Sequence, residues 1–93
     1  MNFDLPDKPH VIYTKKKCAY CTRAKVLLPQ ACVVSCDDWL QKDRDAFLKR
    51  MDELSGATPR TFPMVFVGGR YIGGYEETKK YVDELECFKL VDF

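Results

Sequence analysis

The sequence predicts an α/β fold, a mixed four-stranded sheet with helices on both faces, and three observations lead there. A β-branched run, a helix-spaced run and a second β-branched run follow one another between residues 10 and 36. Two apolar runs flank the pair Gly68-Gly69. A helix-spaced segment follows each of these two units. The order βαβ, helix, β-hairpin, helix buries a sheet between two helical layers.

Each element has its own signal. "HVIYT", residues 10 to 14, is short, β-branched and aromatic, as a buried strand is. From Cys18 the spacing becomes helical, with Cys21, Ala24 and Leu28 on one face and Thr22, Arg23 and Lys25 on the other. Pro29 disfavours helical geometry at Leu28 and so ends that helix. "CVVSC", residues 32 to 36, is the second strand, which makes the first crossover parallel and right-handed. Asp37 and Asp38 are expected to open a turn. Leu40, Phe47, Leu48, Met51 and Leu54 then recur at helical intervals, and Gly56 is a stop signal. "MVFV" (64–67) and "RYI" (70–72) around Gly68-Gly69 form a hairpin, ended by Gly73-Gly74. Tyr75, Thr78, Val82 and Leu85 line one face of a last helix, whose first turn carries Glu76 and Glu77, where the helix dipole favours acids. The apolar tail "CFKLVDF" is expected to dock on the core.

Ninety-three residues suit one domain with a single core, spanning 1–93. Hydrophobic residues make up 46% and charged residues 31% of the chain, which separates it from disordered sequences. The net charge of +1 argues against nucleic acid as the main partner, because phosphate binding wants a clear basic excess. No apolar run approaches the ~20 residues that span a bilayer, and "MNFDLPDKPH" lacks the order of a signal peptide. A reducing, cytoplasmic setting without membrane attachment is therefore expected. There, thiols stay free unless they are catalytic or bind metal. The five cysteines (18, 21, 32, 36 and 87) cannot all pair within the chain.

"TKKKCAYCTRAKVLL", residues 14 to 28, holds the chemistry. Chemistry at a thiol requires the thiolate. Cys18 follows a strand and starts a helix, so the unpaired N–H groups of the first turn point toward its sulfur. Lys15, Lys16 and Lys17 add positive charge. Such settings lower a cysteine pKa from about 8.5 to between ~3.5 and ~7.5. Cys21 lies one turn on, on the apolar face, where burial favours the neutral thiol. The asymmetry suits an attacking sulfur and a resolving sulfur, and a low pKa makes the attacker a good leaving group. A zinc half-site is the rival, but it wants a second C-x-x-C or paired histidines, and the chain has one histidine, His10. Cys32 and Cys36 read as small apolar fillers on one strand face. Cys87 is ambiguous.

With "KKKCAYC" and "GATPRTFPMVFVGGRYIGGYEE" on the page, residues 9 to 85 resemble a glutaredoxin, a thioredoxin-fold thiol–disulfide oxidoreductase that uses glutathione. The family motif is C-P-Y-C with a basic residue three positions earlier, then T-V-P, then G-G-x-[DS]-D. The combined pattern is far more specific than any single motif. The resemblance implies a thioredoxin-like βαβαββα fold and a Cys18/Cys21 redox pair that reduces protein disulfides and glutathione mixed disulfides. It implies glutathione contacts from Lys15, Tyr20, Arg60, Thr61, Phe62, Pro63, Gly73, Gly74, Tyr75 and Glu76. Pro63 is the expected cis-proline. The Phe62 backbone would pair with the cysteine part of glutathione, and Lys15 with Arg60 would meet its glycine carboxylate. Gly74, Tyr75 and Glu76 would hold the γ-glutamyl end. Each has a plainer alternative, as a trans turn proline, packing aromatics and dipole-complementing acids.

The chain departs from the pattern at several places. Ala19 replaces the usual proline, and some relatives lacking it hold a [2Fe–2S] cluster with glutathione between two subunits, so a cluster-binding or sensing role is the alternative. Glu76 and Glu77 are longer than the usual acids, and Phe62 replaces valine. A third reading is an interaction module whose cysteines merely pack. Partners implied by the resemblance are glutathione and disulfide-containing or glutathionylated proteins, ribonucleotide reductase being a customary client, met by a monomer.

Overall fold

Strand β1 (His10–Thr14) is buried from Val11 onward and carries its side chains alternately to two cores. Val11 and Tyr13 face one side with Phe47, Met51, Met64 and Phe66. Ile12 faces the other with Ala24, Leu28 and Val65. That two-sided burial is why "HVIYT" reads as a continuous apolar run and not as an alternating one. The computed structural model describes residues 4–90, with side chains through Glu86.

The remaining elements are α1 (Ala19–Leu27), β2 (Cys32–Ser35), α2 (Asp37–Lys42), α3 (Arg44–Ser55), β3 (Met64–Val67), β4 (Arg70–Gly73) and α4 (Tyr75–Leu90). The sheet order is β2-β1-β3-β4. β1 runs parallel to β2 with Tyr13 opposite Val34, and antiparallel to β3 with Ile12 opposite Val65. α1 and α4 supply Ala24, Tyr81 and Val82 to the Ile12 core, whereas α2 and α3 supply Trp39, Leu40, Phe47 and Met51 to the Tyr13 core. This is the mixed, helix-flanked thioredoxin-like arrangement the sequence predicts. Among the described residues, no helix is long and apolar enough to cross a membrane.

The boundaries follow local chemistry. α1 stops at Leu27, and Leu28, just before Pro29, is its C-cap. Gly56 caps α3 in the left-handed conformation, φ 70°. Gly68 and Gly69 both have positive φ, 58° and 81°, as a two-residue I′ hairpin turn requires. Cys36 is buried, and Cys32 is half-buried on the same face, as fillers should be.

Three expectations need correction, and a fourth falls outside the described residues. Asp37 and Asp38 do not form a turn. They are the first turn of α2, where two carboxylates complement the exposed N–H groups. The helical run after them is two helices, broken at Asp43, whose extended φ of −152° closes α2 and opens α3. Leu85 is 40% exposed, and Tyr81 packs in its place beside Val82. Sixteen residues of α4 span about 24 Å, whereas a four-residue strand covers only about 13 Å, so the helix overruns the sheet before Leu85. Residues 87–90 continue the α4 backbone, while the docking expected of "CFKLVDF" lies outside the described side chains.

Candidate active site

The backbone places Cys18 at the N-cap of α1. Its φ of −118° and ψ of 101° are extended, and its sulfur accepts the Cys21 N–H at 3.1 Å. An N-cap normally uses an oxygen to satisfy one of the free amides of the first turn. Here a sulfur does so, and a thiolate there is stabilised by the same amide and by the helix dipole. Cys18 and Cys21 are joined as a disulfide. Cys18 is half-exposed and Cys21 is 1% exposed, so only one of the two sulfurs meets an incoming disulfide.

The Phe62–Pro63 peptide bond is cis. It brings the Phe62 carbonyl oxygen to 3.6 Å from Cys18 Sγ, across 44 residues of chain. The Phe62 ring is fixed from behind by a parallel stack on Phe47 (6.4 Å, 6°), which in turn stacks on Trp39. Trp39 therefore supports the site through two rings. On the Phe62 ring rests the Lys15 ammonium, 6.0 Å from the centroid.

The three lysines do not act together. Lys15 leans over Phe62, while the Lys16 N–H donates to Asp37 Oδ1 at 2.9 Å, with Ser35 Oγ donating to Oδ2 at 2.8 Å. These bonds hold the Asp37 carboxyl below the usual carboxylate range, the Lys16 amide first and the Ser35 hydroxyl next. Lys17 has a positive φ of 56°, in the left-handed region.

An open cavity of about 490 Å³ lies along the Phe62–Pro63 segment, whose Phe62 carbonyl stands by Cys18 Sγ. Thr61, Phe62 and Pro63 form one wall, Gly74, Tyr75 and Glu76 another, and Tyr20 stands at the rim. The Tyr20 and Tyr75 rings meet at 5.5 Å, so helices α1 and α4 close over that rim together. Seven of the ten residues expected to bind a ligand thus converge. Lys15 and Gly73 stand next to the walls without lining them, and Arg60 is turned elsewhere. The Arg60 guanidinium makes a two-point pair with Asp52 (2.7 and 3.0 Å), which raises its own pKa and lowers that of Asp52.

Two wall residues lie outside those ten: Tyr71, which the sequence reading missed, and Glu77, which it matched to the glycine motif without a ligand contact. Tyr71 carried a usable signal, since it sits opposite Phe66 in the hairpin and must share its face. Burial, then the Glu77 charge, push its phenol pKa up. Glu77 accepts the Gly74 N–H at 2.8 Å, which is half of a capping box at the start of α4. Gly73 has φ 125° and leaves room for that carboxylate. Among the described residues, no group of three or more His, Cys, Asp or Glu side chains is placed to hold a metal ion.

Comparison with known proteins agrees with this geometry. The family model described as Glutaredoxin matches residues 11–72, more than half of the chain. The chain is 38% identical over 72 residues to a glutaredoxin from Ricinus communis, covering 73% of this chain and 67% of that one. It is 36% identical over 80 residues to monothiol glutaredoxin-S10 of Oryza sativa subsp. japonica, covering 82% and 47%. Several matched relatives are longer, and the chain spans 27% of the hybrid peroxiredoxin hyPrx5 of Haemophilus influenzae and 64% of glutaredoxin 1 of Rickettsia typhi. Among solved structures, it resembles glutaredoxin 1 of Francisella tularensis complexed with cacodylate (TM-score 0.70, 27% identity, 84% of this chain and 95% of that one). It also resembles a buckwheat glutaredoxin–glutathione complex (TM-score 0.60, 32% identity, 89% and 82%).

Proposed function

Because this chain belongs to the glutaredoxin family, we propose that it is a glutathione-dependent thiol–disulfide oxidoreductase in which Cys18 attacks and Cys21 resolves. The observation that carries this is a disulfide whose half-buried Cys18 sulfur caps a helix and stands 3.6 Å from the carbonyl of Phe62, a wall residue of a cavity of small-molecule size.

In the reduced protein, the Cys21 amide and the α1 dipole favour a Cys18 thiolate. That thiolate attacks the glutathione sulfur of a glutathionylated protein. The protein–glutathione S–S bond breaks, the Cys18–glutathione bond forms, and the protein departs as a thiolate that takes a proton from water. A second glutathione thiolate then attacks the mixed disulfide at the glutathione sulfur, releasing glutathione disulfide and the Cys18 thiolate. With a protein disulfide as substrate, Cys18 first forms a mixed disulfide with one substrate sulfur. Cys21 then loses its proton and closes the Cys18–Cys21 bond, releasing the reduced substrate, and two glutathione molecules reopen it.

The cavity suits glutathione end to end. The Phe62 backbone, exposed at the cis bond, offers an edge for the cysteine part, as an added strand would use. Lys15 is within reach of the glycine carboxylate from its place on Phe62. Thr61 and Pro63 shape the wall, and Tyr20 and Tyr75 cover the ligand. The γ-glutamyl carboxylate meets the amides of Tyr75 and Glu76 at the start of α4, and its ammonium meets Glu76 or Glu77. Arg60 joins only when its pair with Asp52 opens.

A glutathione-coupled assay on glutathionylated and disulfide substrates tests the reading. Cys18→Ser is expected to abolish both reactions, and Cys21→Ser to keep deglutathionylation while losing disulfide reduction. Wild-type rates from Cys18→Ser contradict it.

A further inference from the structure

We propose that the protein half of the substrate docks on the cationic flank of Cys18 formed by Lys17 and Arg23, and that the preferred segment is acidic around its target cysteine. This deepens the oxidoreductase reading and rests on it.

The approach to the Cys18 sulfur is restricted on three sides. Cys21 and the buried face of α1 lie behind it, the Phe62 carbonyl stands at 3.6 Å, and the cavity on the α4 side is taken by glutathione in the proposed reaction. What stays open is the surface made by Lys17, Ala19 and Arg23, all exposed. A polypeptide attached to the other sulfur of the mixed disulfide must lie there.

That surface is charged with one sign. Lys17 and Arg23 form no ion pair among the described residues, so no carboxylate neutralises them. Lys16 lies near the Asp37 carboxylate, which offsets its charge. The Arg23 guanidinium sits 5.3 Å from the Tyr20 ring centroid, so it is held at the rim by a cation–π contact and does not wander in solvent. The opposite flank of the site, with Glu76 and Glu77, is acidic. The exposed charges of Lys17 and Arg23 therefore favour an acidic segment over a basic one on this side of the site.

The test uses three glutathionylated peptides that differ only in the residues flanking the cysteine: two aspartates, two glutamines or two lysines. At low salt, kcat/KM for the acidic peptide is expected to exceed that for the neutral one by about tenfold, with the basic peptide slowest. The ratio should shrink toward one at 0.5 M salt, where the Debye length falls to about 4 Å. Lys17→Glu/Arg23→Glu should reverse the preference, read as the ratio of kcat/KM for the acidic peptide to that for the basic one, in which a change of Cys18 ionisation common to all three peptides cancels. Equal rates for the three peptides, a salt-independent ratio, or a variant that keeps the wild-type ratio would each overturn the docking surface. If wild type reduces none of them, the oxidoreductase reading itself falls, and the glutamine peptide identifies that case.

Discussion

The Glu77 carboxylate accepts the backbone N–H of Gly74 at 2.8 Å, folding the side chain back over the start of α4. The longer acid, which on sequence grounds looked like a misfit for a ligand site, thus serves its own helix first. Glu77→Ala removes the cap and is expected to cost about 1 kcal/mol, a fall in Tm of about 4–8 °C for a domain of this size. Glu77→Gln, which keeps an acceptor oxygen, should recover most of it. Thermal melts of the three proteins check this, and equal losses in both variants would show that charge, not the cap, matters.

Gly73 is the companion of that cap. Its φ of 125° is one that side chains rarely adopt, and an added methyl would stand 2.8 Å from Glu77 Cβ. Gly73→Ala should destabilise the protein by about 1–3 kcal/mol and raise the KM for glutathione more than it changes kcat. An unchanged melting curve argues against this placement of α4 relative to β4.

Lys17 offers the opposite case. A left-handed lysine costs roughly 1–2 kcal/mol, and a glycine there returns part of the gain, about 0.5–1 kcal/mol, as extra freedom of the unfolded chain. Lys17→Gly is therefore expected to stabilise the protein by about 0.5–1 kcal/mol, read by denaturant unfolding. Destabilisation would mean that the loop adopts a different backbone in solution.

The Asp37 clamp predicts an acid limb. The folded protein holds this carboxyl below its ordinary value, through the Lys16 amide first and the Ser35 hydroxyl next. Its contribution is complete above the unfolded pKa, near 3.9, and fades as pH falls through the lowered folded value. Asp37→Asn, which retains one acceptor for Lys16, should flatten the loss of stability below about pH 4 relative to wild type. Parallel curves of Tm against pH for the two proteins would contradict the clamp.

How much of this was legible in the chain depends on how local the cause is. The elements around Cys18, the Gly68-Gly69 hairpin and the convergence of Tyr20, Phe62, Pro63 and Tyr75 could be read, because strand composition, turn glycines and motif spacing are local. The break at Asp43 and the short α2 could not, since helix-period apolar residues run through both helices and only the backbone at one residue separates them. Arg60 was assigned to the ligand because it precedes Thr61, yet Asp52, eight residues back on α3, holds its guanidinium. No spacing rule sees such a partner. Asp37 was missed for a similar reason: its bond to Lys16 spans 21 residues.

Burial separates the remaining cysteines from the reactive one. Burial raises the Cys36 thiol to about 12, and Tyr13 beside it rises to about 12 for the same first reason. For both groups the folded state favours the neutral form, so their contribution is intact below the unfolded values and is lost as pH climbs toward 12. In the reduced, folded protein the rate of Cys18 alkylation by iodoacetamide, followed from pH 4 to 10 by peptide mass analysis, tests the account at its centre. The prediction is a midpoint well below the 8.5 of an ordinary thiol, protection by glutathione-derived disulfide, and Cys36 unmodified until the chain is unfolded. A Cys18 profile matching that of a short unstructured peptide would contradict it.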